Sequence, residues 1–110
     1  MTGEAASEPT LDITYHERGY LWTEEIPHGK FGATLLQAAS NRELERVSAL
    51  IEALVVSFPE TARRFLSNID NAKYYIYRGV PEQFLIDAAR RLGEYTLARE
   101  ITAYTVSADA

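Results

Sequence analysis

The chain has 110 residues, 46% of them hydrophobic and 25% charged, with a net charge of −5 and no cysteine. This length and balance suit one globular domain with its own core and exclude a fibrous, disordered or disulfide-stapled chain. They also exclude thiolate nucleophiles, Cys-ligated zinc and iron–sulfur clusters, and no apolar run reaches the roughly 18 residues needed to span a membrane.

Charge is uneven: residues 1–60 carry 4 Lys/Arg against 10 Asp/Glu, and residues 61–110 carry 7 against 6. The front half repels a phosphate backbone, so a nucleic-acid partner needs a local basic patch. Residues 1–10 lack periodicity and are expected to be a flexible tail before a single domain over 11–110. With no basic region followed by an apolar run, a cytoplasmic protein is expected.

"LDITYHE" and "YLWTEEI" flank Arg18-Gly19 and predict a β-hairpin with a two-residue loop. That loop sets Leu11 opposite Ile26, Ile13 opposite Glu24 and Tyr15 opposite Trp22 on one half-buried face. The other face pairs Thr14 with Thr23, His16 with Leu21 and Asp12 with Glu25. The last pair is like-charged, so a longer loop or a frayed end is expected.

After the connector "PHGKFG", the segment "FGATLLQAA" is helical in pattern, and Ser40 with Glu43 predicts a capping box for the next helix. Leu44, Val47, Leu50, Ile51, Leu54, Val55 and Phe58 then follow steps of three and four, the clearest apolar stripe in the chain. Surplus apolar surface on 44–58 would serve a homodimer. Ser57 and Glu60 around Pro59 predict another cap, with Ala62, Phe65, Leu66 and Ile69 inward and Asp70-Asn71 ending that helix.

"KYYIYR" at 73–78 favours a third strand by its Tyr and Ile content, with an extended linker as the alternative. Phe84, Leu85, Ala88, Ala89 and Leu92 form a last stripe that stops at Gly93, and Leu97, Ile101 and Tyr104 resume it. Leu35, Ala38, Ala39, Ile51 and Ala53 recur fifty residues on as Leu85, Ala88, Ala89, Ile101 and Ala103, a weak internal echo.

Three local resemblances accompany this pattern. "AARRLGEYTLAREI" at 88–101 resembles the helix-turn-helix of Fis-like DNA-binding domains, but its turn is about two residues short and Glu94 and Glu100 would face phosphates. Residues 79–104 look more like a helical hairpin of the tetratricopeptide type, through Gly93, Tyr95 and Ala98. That likeness implies close helix packing with Tyr95 lying across the turn, although the family's Trp and terminal Pro are missing. Residues 32–52 resemble one degenerate ankyrin unit through Gly32, Thr34, Leu36, Ala38, Ala39, Glu45 and Val47. One residue must be removed to align it and no neighbouring unit follows, so that family is not adopted.

The fold expected is α+β and mostly helical: an N-terminal hairpin, extended to three antiparallel strands if 73–78 joins it, packed on four to five short helices. No nucleophile elbow, phosphate loop or dinucleotide fingerprint is present. His16 and His28 with Asp12, Glu17, Glu24 and Glu25 lack metal-ligand spacing, and neither a metal nor another cofactor is expected. A general base among Glu24, Glu25 or His16 would need an apolar wall such as Trp22 to raise its pKa.

The expected function is a non-catalytic protein-interaction or regulatory module of the adaptor, inhibitor or immunity and antitoxin kind, working through the acidic hairpin face. Its partner-binding residues would be Trp22, Glu24, Glu25, His28, Tyr74, Tyr75, Tyr77 and Arg78, and its partner another protein. The alternative is a small nucleic-acid binder using the 73–78 Tyr/Arg strand with Arg63-Arg64 and Arg90-Arg91.

Overall fold

Two antiparallel strands, β1 (Thr10–Glu17) and β2 (Tyr20–Pro27), open the fold and are followed by a 3₁₀ turn (His28–Lys30). Six helices come next: α1 (Phe31–Ser40), α2 (Leu44–Ser57), α3 (Pro59–Phe65), α4 (Ile69–Tyr77), α5 (Glu82–Arg91) and α6 (Tyr95–Asp109). The computed structural model describes residues 9–109, so the expected tail lies outside the described residues as far as position 8. Thr10 already belongs to β1, and the Pro9 carbonyl accepts from the His28 N–H at 2.9 Å.

The hairpin adopts the register expected from its loop, from Glu17 opposite Tyr20 to Thr10 opposite Pro27. Arg18 and Gly19 both take positive φ, 55° and 84°, the requirement of a type I′ turn. Asp12 and Glu25 stay paired without fraying or a longer loop. The reason lies on the other face, where Leu11, Ile13 and Ile26 are buried and β1 packs on α2. A slip of one residue would turn that apolar set to solvent.

α2 is the centre of the molecule, packed by β1, α1, α3 and α5. Its Val47, Leu50, Ile51, Leu54 and Val55 are buried, with Leu44 and Phe58 partly so. The stripe itself is consumed within one chain, and Val56, 64% exposed, is the large apolar side chain that α2 turns to solvent. The expected caps do not form. Ser40 Oγ lies 3.0 Å from the Tyr74 hydroxyl, Glu43 holds Arg46, and α3 starts at Pro59 with no side-chain cap.

Residues 73–78 are not a third strand: 73–77 lie within α4, which is why the described residues form six helices. Asn68 starts α4 by accepting the Asn71 N–H at 3.1 Å, so Asp70-Asn71 lies in its first turn instead of ending the helix before it. Ala72 and Tyr75 are buried and Ile69 and Ile76 half-buried, a helical spacing of apolar contacts that overrides the strand preference of Tyr and Ile.

Three helices end in the same left-handed turn. After α4, Gly79 and Val80 donate to Ile76 and Tyr75; after α5, Gly93 and Glu94 donate to Arg90 and Ala89; after α1, Arg42 and Glu43 donate to Ala39 and Ala38. The α1–α2 and α5–α6 hairpins are the two copies of the sequence echo. Leu35, Ala38, Ala39 and Ile51 in one, and Leu85, Ala88, Ala89 and Ile101 in the other, are core residues. In the second hairpin Ala98 is buried at the helix contact as the tetratricopeptide likeness implies, but Tyr95 points to solvent instead of packing across the turn.

Candidate functional site

The hairpin and the first turn of α2 enclose a cleft of about 410 Å³ lined by Tyr15, Glu17, Arg18, Trp22, Glu24, Glu43 and Arg46. Strand alternation puts Tyr15, Trp22 and Glu24 on the face turned towards α2. Arg46 projects from α2 to meet them. Its Nε and one terminal nitrogen each lie 2.8 Å from a different Glu24 oxygen, and the other nitrogen bonds Glu43 at 3.0 Å. The Tyr15 hydroxyl donates to Glu24, and the Arg46 backbone N–H donates to Glu17 at 3.2 Å.

This network is a latch between strand and helix. The fork of Arg46 matches the carboxylate on both oxygens, which fixes angle as well as distance. Burial pushes the Tyr15 hydroxyl up, and its bond to Glu24 adds to that, giving a pKa of about 12. Burial also acts to raise Glu24, but the bonds from Arg46 and Tyr15 outweigh it and hold the carboxyl below its ordinary value. The expected route to a general base, a Glu24 raised by Trp22, is therefore reversed.

Beside the latch the surface opens. Tyr20 is 69% exposed, Leu21 61% and Trp22 46%, and the two aromatic rings meet edge-on at 6.4 Å. The indole N–H of Trp22 donates to the Glu17 carbonyl at 3.0 Å, which fixes the ring over the hairpin turn. Because Glu17 and Tyr20 close a two-residue loop, they form a hydrogen-bonded pair, and the ladder alternates from there. The backbone groups of Leu21, Thr23 and Glu25 therefore point away from β1, and none has a partner among the described residues.

The other sequence-predicted residues do not converge with these. Glu25 is exposed on the opposite face of β2 from Glu24. His28 is fixed internally, its Nε2 at 2.9 Å from Thr61 Oγ1 and its ring edge-on to Phe58. Tyr75 is buried, which raises its hydroxyl to about 12, and Tyr74 is engaged by Ser40. Arg78 donates to the Ala39 and Ser40 carbonyls at the end of α1 and lies over the ring of Tyr77, 5.6 Å from its centroid, while Tyr77 itself is 70% exposed.

Of the Arg pairs, Arg63 bonds Glu60 and the Leu92 carbonyl, and Arg91 bonds Glu52. Arg64 and Arg90 alone of these four have no partner among the described residues. Tyr74 and Tyr75 meet edge-on at 5.8 Å with Tyr75 buried, while Tyr77 is exposed, so the three rings form no open row on which bases could stack.

Arg46, Tyr15, Glu17 and Glu43 were not among the expected site residues. Tyr15 was within reach, since the register already set it opposite Trp22. Arg46 was not, because a helix arginine three residues after Glu43 gives no sign of a partner in a distant strand. Among the described residues no three His, Asp or Glu side chains group as a metal site, and no helix is long and apolar enough to cross a membrane. Comparison with protein-family models, curated proteins and solved structures found no match in any of the three.

Proposed function

We propose that this domain is a non-catalytic, regulatory protein-interaction module of the cytoplasm that recognises its partner through the exposed strand β2. The observation that carries the reading is the strand itself: a free edge at Leu21, Thr23 and Glu25, next to the exposed side chains of Tyr20, Leu21 and Trp22. Edge strands of this kind accept an added strand, with backbone bonds giving affinity and alternate side chains giving selectivity. Tyr and Trp are also the residue types that dominate binding energy at interfaces.

The latch supports a binding role over a chemical one. Tyr15 and Glu24, the two cleft groups whose titration is displaced along with that of Arg46, are bonded to each other and moved away from neutral pH in opposite directions, so neither is poised to move a proton. Their effect is to hold β2 rigid, which lowers the ordering cost of a partner.

The test is retention of a stoichiometric protein from native lysate by the immobilised full chain after nuclease treatment. Leu21→Asp, with an unchanged far-ultraviolet circular dichroism spectrum, is expected to lose that protein, and Glu25→Lys to weaken it. Retention unaffected by Leu21→Asp, or nucleic acid retained in place of protein, would overturn the proposal.

A further inference from the structure

We infer that the partner for which β2 is built is β2 of a second copy of this chain, joined antiparallel about a twofold axis at Thr23 to make a four-stranded sheet. The inference rests on the reading of β2 as an interaction strand and names its occupant.

The outward-facing residues Leu21, Thr23 and Glu25 are an odd set centred on Thr23. With Thr23 opposite Thr23 of the second copy, Leu21 falls opposite Glu25 of that copy and Glu25 opposite its Leu21. All outward N–H and C=O groups of the three residues are then used. Moving the axis to Trp22 sets Glu25 opposite Gly19 and leaves it beyond the partner strand. Moving it to Glu24 sets two glutamates opposite each other and offers Leu21 only Pro27, which has no N–H.

Side chains favour the same register. On the face turned towards the helices, Tyr20 stands opposite Ile26 of the second copy and Trp22 opposite its Glu24. Two glutamates come no closer than a diagonal, at Glu24, where each already has its own Arg46. Thr opposite Thr is a favourable cross-strand pair. Of the usual guards the edge carries only the charge of Glu25: no bulge interrupts its register, no Lys lies on it, and its Pro27 is terminal. The free edge of β1 presents Asp12, Thr14 and His16 and has no large exposed apolar side chain. Helices pack mainly on β1, and α2 reaches β2 through Arg46 on the inner face and not at the outward edge.

The experiment is sedimentation of the full chain between roughly 1 μM and 1 mM, the affinity range of a small interface. The expected result is a species of twice 12.4 kDa, retained by Thr23→Val and lost in Thr23→Pro. Proline at this position removes an outward N–H and none of the hairpin's own bonds. Because the chain has no cysteine, single-cysteine variants report the register. Under copper-catalysed oxidation Thr23→Cys is expected to cross-link in high yield, its Cα atoms about 5.5 Å apart. Glu25→Cys, its Cα atoms about 13 Å apart along the strand, is expected not to.

A chain that stays monomeric across the range, or cross-links equally at both positions, overturns the inference. A monomer whose Leu21→Asp variant still loses its lysate partner overturns the dimer and leaves the interaction reading standing. A cross-linked dimer whose Leu21→Asp variant keeps that lysate partner supports the dimer and removes the reading of β2 as the site for another protein.

Discussion

Arg42 occupies a left-handed position, φ 56°, at the turn where α4 and α5 use Gly79 and Gly93. A side chain with a Cβ is strained there by about 1 kcal/mol relative to glycine. Arg42→Gly is therefore expected to raise thermal stability by a few degrees, read by calorimetry. Nothing in "SNREL" announces this turn, because the αL requirement comes from the angle at which α2 must leave α1.

The latch residues set the pH limits of the same region. Glu24 titrates below its ordinary value in the folded state, so its contribution is present above the unfolded carboxylate pKa and is lost as pH falls through the folded value. Tyr15 and Tyr75, both raised to about 12, act at the other end. The native state keeps their protons while the unfolded chain releases them near 10, so stability is expected to fall as pH rises from about 10 to 12. Denaturant midpoints measured across that window would show the fall, and Tyr15→Phe is expected to make it shallower.

Among the elements, α4 best separates what is local from what is not. The hairpin register was legible because a two-residue turn and a period of two fix it within eighteen residues, Thr10 to Pro27. The α2 stripe was legible for the same reason at a period of 3.6. In α4 the intrinsic preference of three tyrosines and an isoleucine opposed the helix, and burial of Ala72 and Tyr75 decided the outcome. The one local signal was Asn68, three residues before the N–H it accepts. Asn68→Ala is expected to cost about 1 kcal/mol, seen as a lower urea midpoint with unchanged slope. The Arg46 bond to Glu24 spans 22 residues of sequence, a distance at which composition and spacing carry no information.

For the whole molecule, stability is concentrated on α2. A two-stranded sheet is at best marginal alone, and here it is held by Leu11, Ile13 and Ile26 on one side of the latch and by Arg46 at the other. Leu50 is fully buried in the helix that touches sheet and helices alike. Leu50→Ala is expected to cost about 2–5 kcal/mol, a large part of the total for a domain of this size, and to lower the melting temperature of every probe together. Separate transitions for hairpin and helices would show that they fold independently.

The chain's single tryptophan sits on β2, not in the core. Its emission in the folded protein therefore reports a water-exposed indole, and melting the helices changes its colour little. Covering the strand is expected to do the opposite, shifting the band to the blue and shielding it from acrylamide while circular dichroism stays constant. Position 22 is thus a built-in fluorophore for occupancy, and a titration needs no label.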